Sequence, residues 1–405
     1  MKVALVHDYI KEFGGAERVL EALCEIYPDA PIYTAFLQKS STAYEHFKDR
    51  KIIESWAAVI PFFPKLASPL RFLTPWIWDS LDLSKYDVVI SSASWYITKG
   101  FGSGKQSNNE TIEQSGRRPI EICFCHTPPR WLYGYTQSVN FQKYAIVRVY
   151  AAIVGHFLRL YDFKQAQKVN YFIANSKEVQ SRIKKFYRRD SVVIYPPVEI
   201  SRGPATRFPP ASARSRLTEL RAVGSPSTPV TPPYYFIVSR IVGAKGLDMA
   251  VEAAVKQGFK LKIAGAPAGY YFEYNKLVEK SKGIVEFLGQ VSDEELAQLY
   301  KGAKAFLALA KDEDFGITPV ESMLTGTPVI AFNGGGYKET VLQGRTGVLF
   351  DNYSVDGLIE AIKKFETLRQ AQGKFDSARI KQYAEKFSKE RFKNEIRNFV
   401  NSKIK

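Results

Sequence analysis

The hydrophobic and polar positions of this chain follow a repeating order of short apolar runs and amphipathic stretches. The run 2–9 is mostly apolar, 13–16 contains two glycines, and 17–27 carries apolar side chains at positions 19, 20, 23 and 26. This order predicts a buried strand, a tight turn and an amphipathic helix. Because the alternation of strand and helix recurs in both halves, the pattern predicts an α/β fold with parallel sheets.

Shifts in composition divide the chain into domains. Its 405 residues, 45% of them hydrophobic, are too many for one ordinary core and predict two domains, 1–198 and 234–385. Between them, 199–233 is rich in Pro, Ser, Arg and Ala, which indicates a linker or an inserted loop. The polar segment 102–118 is predicted to be an insertion in the first domain. A basic helix in 386–405 closes the chain.

Two glutamates eight positions apart are the strongest candidates for chemistry. Glu313 follows an apolar run at 305–309, and Glu321 precedes another at 328–332. The loop between them lies at the carboxyl end of a predicted parallel strand, where open α/β sheets bind ligands. We expect Glu313 to face a polar ligand. For Glu321 there is a structural alternative, because Thr318-x-x-Glu321 has the spacing of a capping box.

Further candidates for anion binding follow predicted strands. Arg240 and Lys245 come directly after the apolar run 234–239, five positions apart around a glycine, and such a pair suits a diphosphate. Ordinary surface charge is the alternative. Gly14 and Gly15 open a helix after the first strand, where backbone amides can approach a phosphate closely. A plain turn is the alternative there.

Three residues of the first domain are candidates for contact with a second substrate. His126 ends the predicted strand 119–126 and is followed by Thr-Pro-Pro, which is unusual for a core histidine. Its alternative role is a structural hydrogen bond to a nearby carbonyl group. Lys99 follows the predicted strand 86–92, and Arg130 follows His126. We expect Lys99 and Arg130 to bind this second substrate and His126 to take part in catalysis.

The net charge of +16 is compatible with nucleic acid, an anionic membrane surface or phosphorylated substrates. We expect no nucleic-acid partner, because no such binding module is evident and the basic residues are spread along the chain. The segment 52–82 is rich in aromatic residues and proline, and it predicts either a buried cover over the sheet or a face that meets lipid. No uncharged apolar run is long enough to span a bilayer, and 143–161 is interrupted by Arg148 and Arg159.

The sequence also predicts the compartment and the absence of a metal. The chain opens directly on a strand, with His7 and Asp8 where a signal peptide would stay apolar. The three cysteines fit no zinc spacing and are predicted to be buried free thiols. Both features favour the cytoplasm. No Asp-x-Asp pair follows a suitable strand, and we expect no metal site and no cofactor.

Six further segments, taken with the glutamate pair, resemble one known family: 6–9, 14–19, 86–92, 125–130, 174–176 and 193–198. They are similar to the retaining glycosyltransferases of family 4, in a subgroup of bacterial mannosyltransferases of O-antigen and exopolysaccharide assembly. The resemblance implies the GT-B fold: two doubly wound Rossmann-like domains facing across a cleft, with the final helix packing back towards the first domain. The chain departs from the family pattern in the insertions 102–118 and 201–230.

The resemblance also implies a function and roles for the candidates. The donor would be a nucleotide sugar such as GDP-mannose, and the acceptor a lipid-linked glycan or polysaccharide at the inner face of the cell membrane. In this family the first glutamate contacts the donor sugar and the second the ribose, while the two cations bind the diphosphate. Carried over, the donor-binding residues are Gly14, Gly15, Arg240, Lys245, Phe315, Gly316, Ile317 and Glu321, with Glu313 catalytic. The alternatives are another GT-B enzyme, such as an epimerase or a phosphorylase, and a basic nucleic-acid-binding protein.

Overall fold

Parallel sheets organise both halves of the chain. The computed structural model describes residues 1–103, 118–135, 145–200, 233–266, 271–371 and 375–404. It divides into two units, one formed by Met1–Pro197 with Phe387–Lys405 and the other by Val198–Lys386. Most of the predicted insertion 102–118 and of the predicted linker 199–233 lies outside the described residues.

The first unit is built on a seven-stranded parallel sheet in its described part. Its strands are β1 (Val3–His7), β2 (Ile32–Thr34), β3 (Ile52–Glu54), β4 (Val88–Ala93), β5 (Ile120–Cys125), β6 (Tyr171–Ala174) and β7 (Ser191–Val193). The α-helices are α1 (Gly15–Ile26), α2 (Thr42–Phe47), α3 (Phe63–Leu66), α4 (Thr74–Asp79), α5 (Ala145–Lys168) and α6 (Lys177–Tyr187). The strand order 3-2-1-4-5-6-7 reverses direction between β1 and β4. Ligands of such sheets bind at the carboxyl ends of the strands at that switch point.

The second unit repeats the plan with six parallel strands among its described residues, in the order 10-9-8-11-12-13. They are β8 (Tyr234–Val238), β9 (Leu261–Ala264), β10 (Val285–Gly289), β11 (Ala303–Ala308), β12 (Val329–Phe332) and β13 (Gly347–Phe350). The helices are α7 (Leu247–Gln257), α8 (Tyr271–Lys280), α9 (Asp293–Gly302), α10 (Ile317–Leu324), α11 (Tyr337–Thr340), α12 (Val355–Gln370) and α13 (Ser377–Ala384). The switch point lies between β8 and β11. The prediction of two doubly wound, Rossmann-like domains is therefore confirmed.

The final helix, Lys389–Ile404, belongs to the first unit although the second unit precedes it in the chain. Its buried side chains Phe392, Ile396 and Val400 are spaced four residues apart and join the core around α1. The ring of Phe392 packs against Phe124 of β5 at a centroid distance of 5.7 Å. Burial of three apolar side chains on one face holds this helix on the unit at about 1.5–3 kcal/mol for each residue.

The aromatic segment after β3 is partly buried and partly exposed. Phe63 and Trp78 are buried, and the indole N–H of Trp78 donates to the carbonyl oxygen of Tyr96 at 2.7 Å. Phe62 and Trp76 are instead 72% and 60% exposed. The segment is therefore part cover and part apolar surface. The described helices include no candidate for a membrane-spanning segment.

Candidate functional site

The switch point of the second unit brings together two loops that the sequence singled out. β8 and β11 pair directly, so the segment after β8 and the loop after β11 leave the same edge of the sheet. Gly246, which precedes α7, has a φ of +70°. A Cβ at this position would lie 2.8 Å from the carbonyl oxygen of Leu309, so only glycine allows this close packing of the two loops.

An ion pair connects the two loops. The Nζ atom of Lys245 lies 2.7 Å from Oε2 of Glu313, and the two side chains are 28% and 18% exposed. The hydroxyl of Tyr337 donates to the same carboxylate oxygen at 3.4 Å. The pair is thus partly shielded from water but still open to a ligand, a setting in which a charge-assisted hydrogen bond is stronger than at a free surface.

A glycine-rich loop fixes the backbone of Glu313. The N–H of Gly336 donates to the carbonyl oxygen of Glu313 at 2.8 Å. A Cβ at Gly335 would lie 2.2 Å from that oxygen, and one at Gly336 would lie 2.5 Å from Cα of Phe315. In the structure these glycines allow close approach to the Glu313 loop itself.

The segment between the two glutamates takes a different local form from the predicted capping box. α10 begins at Ile317 with Gly316, at a φ of +88°, as its N-cap. Thr318 lies inside the helix, so the alternative that it caps the helix is wrong. Phe315 is buried, and so is Glu321, whose Oε2 accepts a hydrogen bond from the hydroxyl of Tyr300 at 2.8 Å. A ribose contact for Glu321 stays a prediction.

Arg240 occupies the same edge of the sheet as Lys245. It is exposed, two residues after the end of β8, and the hydroxyl of Ser239 donates to its carbonyl oxygen at 2.7 Å. Two cations therefore follow β8 where the sequence placed them. Tyr337 and Tyr300, the partners of the two glutamates, were missed by the sequence reasoning, because a lone tyrosine after a glycine run or inside a helix carries no periodic signal.

The switch point of the first unit assembles a second group of polar side chains. In the parallel register His7 of β1 is opposite Ser92 of β4, and His126 follows the last residue of β5. The hydroxyl oxygen of Ser92 lies 3.0 Å from Nδ1 of His7 and 2.8 Å from Nε2 of His126. Burial, with His7 nearby, lowers the pKa of His126 to about 3, so its imidazole is neutral at neutral pH.

The glycine pair acts first as a helix start. Gly14 is the N-cap of α1, and its N–H donates to Oε2 of Glu17 at 2.9 Å. This favours the turn alternative for Gly14, because its amide already has a partner. Gly15 is the first residue of the helix and is exposed. Donor binding by either glycine stays a prediction.

The prediction that Lys99 binds the acceptor is corrected by the structure. Lys99 is buried, and its ammonium group forms an ion pair with Asp162 of α5. The hydroxyl of Tyr133 donates to the other oxygen of that carboxylate at 2.6 Å. The charge of Lys99 is therefore used inside the unit, where it links the segment after β4 to α5. Arg130 is half-buried in the loop after β5, and its role in acceptor binding stays a prediction.

All three cysteines, Cys24, Cys123 and Cys125, are buried and free, which confirms that prediction. Among the described residues there is no group of three or more His, Cys, Asp or Glu side chains that could hold a metal ion. Metal independence stays a prediction.

Comparisons with known proteins agree with this architecture. Residues 223–387 match the family model described as Glycosyl transferases group 1. Glycogen synthase of Thermus caldophilus is 35% identical over 164 residues, which are 39% of this chain and 36% of that protein. The alpha-1,3/1,6-mannosyltransferase ALG2 of Homo sapiens is 35% identical over 185 residues, which are 40% of this chain and 44% of that protein. The chain thus spans less than half the length of these curated relatives.

A solved structure of Anabaena HepE in complex with UDP has a TM-score of 0.68 at 19% identity, covering 99% of this chain and 100% of that one. With the two parallel sheets, this similarity defines the class: the chain has the GT-B fold. Its second unit, which carries Arg240, Lys245 and the glutamate pair, coincides closely with the segment that matches the group 1 glycosyltransferase model.

Proposed function

We propose that this chain is a retaining glycosyltransferase of family 4 that transfers a hexose from a nucleotide sugar to a lipid-linked or glycan acceptor. The observation that carries the proposal is the contact between Lys245 and Glu313 at the switch point of the second sheet. A carboxylate accepts hydrogen bonds from sugar hydroxyls, and an ammonium group donates to phosphate oxygens. Their adjacency suits a ligand in which a sugar and a diphosphate are joined by one bond.

The proposed roles follow from hydrogen-bonding capacity. The ammonium group of Lys245 has three N–H donors, so its bond to Glu313 leaves donors for phosphate oxygens. Arg240, at the same edge, adds a second cation for the leaving diphosphate. Glu313 is held through its backbone by the loop 334–336 and through its carboxylate by Lys245 and Tyr337, which orients it before a substrate arrives. Stabilisation of the leaving group by two cations requires no metal ion.

The proposed donor is GDP-mannose. Two lines support it: the sequence motifs resemble mannosyltransferases, and ALG2 is a mannosyltransferase by name. The competing donors are UDP and ADP sugars, since HepE was solved with UDP-glucose and glycogen synthase is among the relatives. Phosphorylase and epimerase activities remain alternatives within the same fold.

A thermal-shift series with GDP, UDP and ADP sugars tests the donor. A ligand present at 100 times its Kd adds about 2.7 kcal/mol to the free energy of unfolding, which is readily seen as a higher Tm. We expect GDP-mannose to give the largest shift, and a glycan acceptor to be needed for release of GDP. Stabilisation by UDP sugars alone would show that the donor is a UDP sugar and not GDP-mannose. Conversion of the sugar without an acceptor would indicate an epimerase.

We propose that the chain binds peripherally to the anionic inner face of the cell membrane, and an exposed apolar stripe on α5 supports this location. Four side chains on α5 are between 52% and 66% exposed: Val149, Ile153, Phe157 and Leu160. Their spacing of four, four and three residues places them on one face of the helix. Exposed cations accompany them on the same helix: Arg148, Arg159 and Lys164. A helix with an apolar stripe and basic flanks is suited to lie in the interface of an anionic bilayer.

The helix α5 contacts the aromatic segment after β3. The hydroxyl of Tyr150 on α5 donates to the carbonyl oxygen of Pro69. Phe62 and Trp76 expose their rings in that segment. On the basic helix α6, Arg182 is buried and does not reach an anionic surface. Each cation near an anionic surface adds about 1 kcal/mol.

Co-sedimentation with liposomes tests the location. We expect the wild-type protein to pellet with vesicles that contain anionic lipid, and to pellet less at 1 M than at 0.1 M salt, where the Debye length is about 3 Å and about 10 Å. Phe157→Ser should weaken binding, whereas Val278→Ser, at an exposed position of α8 in the second unit, is the control. Equal pelleting of both variants and wild type, or none at either salt level, would contradict membrane binding through α5.

A further inference from the structure

A buried chain of polar side chains connects α1 to the end of β5. Oε1 of Glu17 lies 3.6 Å from Nε2 of His7, whose Nδ1 lies 3.0 Å from the hydroxyl oxygen of Ser92. That oxygen lies 2.8 Å from Nε2 of His126. All four residues are buried, with exposures between 1% and 8%. Hydrogen bonds in such surroundings are costly to leave unmade, so we expect the hydroxyl of Ser92 and the two imidazoles to match donor to acceptor.

The fold itself aligns this chain of groups. The parallel register of β1 and β4 sets His7 opposite Ser92, and that of β4 and β5 sets Ala93 opposite Cys125, so that His126 follows directly. Glu17 is held in place because its Oε2 accepts the N–H of Gly14 at the start of α1. The carboxylate therefore has a fixed position and one oxygen facing His7.

The number of protons on Ser92 and the two histidines limits the possible directions of their hydrogen bonds. The hydroxyl of Ser92 has one proton, so it donates to only one of the two imidazoles. The carboxylate of Glu17, 3.6 Å away, favours the proton of the His7 imidazole on Nε2, which leaves Nδ1 as a hydrogen-bond acceptor. Ser92 then donates to His7, and its oxygen accepts from an N–H at Nε2 of His126. The remaining nitrogen of His126, Nδ1, is unprotonated, and no described residue forms a hydrogen bond with it.

We propose that Glu17, His7 and Ser92 are positioning residues that fix His126 as its Nε2–H tautomer, so that Nδ1 accepts a hydrogen bond from a hydroxyl group of the sugar substrate. The contact with a sugar rests on the proposed function, whereas the tautomer does not. The pKa of His126, lowered to about 3 by burial and by His7, keeps the ring neutral and makes its tautomer a defined state. The first unit thereby presents a hydrogen-bond acceptor, rather than a hydrogen-bond donor, at the end of β5.

The tautomer of His126 can be measured directly in the protein without substrate. Two-bond ¹H–¹⁵N spectra distinguish protonated from unprotonated ring nitrogens, and the chain has only four histidines. His46→Gln and His156→Gln remove the two histidines outside this chain of groups and leave the signals of His7 and His126. We expect the Nε2–H form of His126 in the wild type and in Ser92→Thr, which keeps a hydroxyl. In Ser92→Ala we expect a mixture of tautomers.

A matched control separates positioning from loss of stability. Ser91 is the neighbouring buried serine on β4, where its hydroxyl donates to Glu121 at 2.7 Å. Ser91→Ala removes a similar buried bond and should leave the tautomer of His126 unchanged. In transfer assays Ser92→Ala should lower kcat about ten- to a hundredfold, the range for a misplaced group near the reacting atoms. Ser92→Thr should restore most of it.

The outcomes separate the two proposals. An Nδ1–H tautomer of His126 in the wild type overturns the inference, even if Ser92→Ala does not fold. The inference is also overturned if the tautomer of His126 is unchanged in both Ser92→Ala and Glu17→Gln. The expected spectra in a protein that transfers no sugar from any nucleotide would support the positioning and refute the proposed function.

Discussion

Replacing Lys245 by Ala tests the centre of the proposed donor site. The Nζ atom of Lys245 lies 2.7 Å from the carboxylate of Glu313 in a partly shielded position. A hydrogen bond from such a cation to a phosphate contributes about 1.5–3 kcal/mol, and we therefore expect the Kd of a nucleoside diphosphate to rise about 10- to 150-fold. The affinity for the nucleoside alone should not change, because Lys245 is proposed to contact only phosphate.

The neighbouring carboxylate sharpens this prediction. Without Lys245, the carboxylate of Glu313 lacks the ammonium group that lies 2.7 Å away and repels a diphosphate more strongly, so the single variant loses more than one hydrogen bond. The double variant Lys245→Ala with Glu313→Gln should therefore bind the diphosphate more tightly than Lys245→Ala alone. The difference between the two variants measures the repulsion, in the manner of a double-mutant cycle.

Isothermal titration calorimetry with nucleoside, nucleoside monophosphate and nucleoside diphosphate measures these affinities. Lys256→Ala is the control, because Lys256 also pairs with a carboxylate, Asp356 at 2.6 Å, but on the exposed last turn of α7. That variant should bind all three ligands as the wild type does. An equal loss for nucleoside and diphosphate in Lys245→Ala, or no loss for either, would refute the placement of Lys245 at the phosphates.

Glu313→Gln should abolish sugar transfer in a single-turnover assay while diphosphate binding survives, and unchanged turnover would remove Glu313 from the mechanism. Transfer should persist in a chelator, whereas loss that Mg²⁺ or Mn²⁺ restores would overturn the prediction of metal independence. Asp162→Ala should lower the free energy of unfolding in urea by about 3–5 kcal/mol, because it leaves the ammonium group of Lys99 buried without a counter-charge; an unchanged midpoint would contradict this. His126 is neutral in the folded protein, where its pKa is about 3, and it takes up a proton when the protein unfolds below its ordinary pKa near 6.5. Its contribution to the free energy of unfolding is therefore present above pH 6.5 and is lost as the pH falls towards 3. At pH 5 the wild type should have lost about 2 kcal/mol more of this free energy than His126→Gln, and equal losses would contradict the prediction.

The sequence alone determined the fold class and the location of the donor-site candidates. Apolar runs alternating with amphipathic helices predict parallel sheets, and in such sheets the residues that follow a strand lie at its carboxyl edge. Arg240, Lys245 and Glu313 could therefore be assigned to one edge of the second sheet before any contact was known. That inference needs only the local order of strand, loop and helix, which the hydrophobic pattern encodes.

Only the tertiary structure decided which side chains meet. Ser92 and His126 are 34 positions apart, and His7 and Ser92 are 85 apart, so their contact depends on strand order and register. Periodicity along one strand does not encode either property. The same reason explains the error at Lys99: its charge follows a strand as expected, but Asp162, 63 positions away on α5, binds it in the interior. Hydrophobic pattern is a property of neighbours in the chain, whereas these polar contacts are properties of neighbours in space.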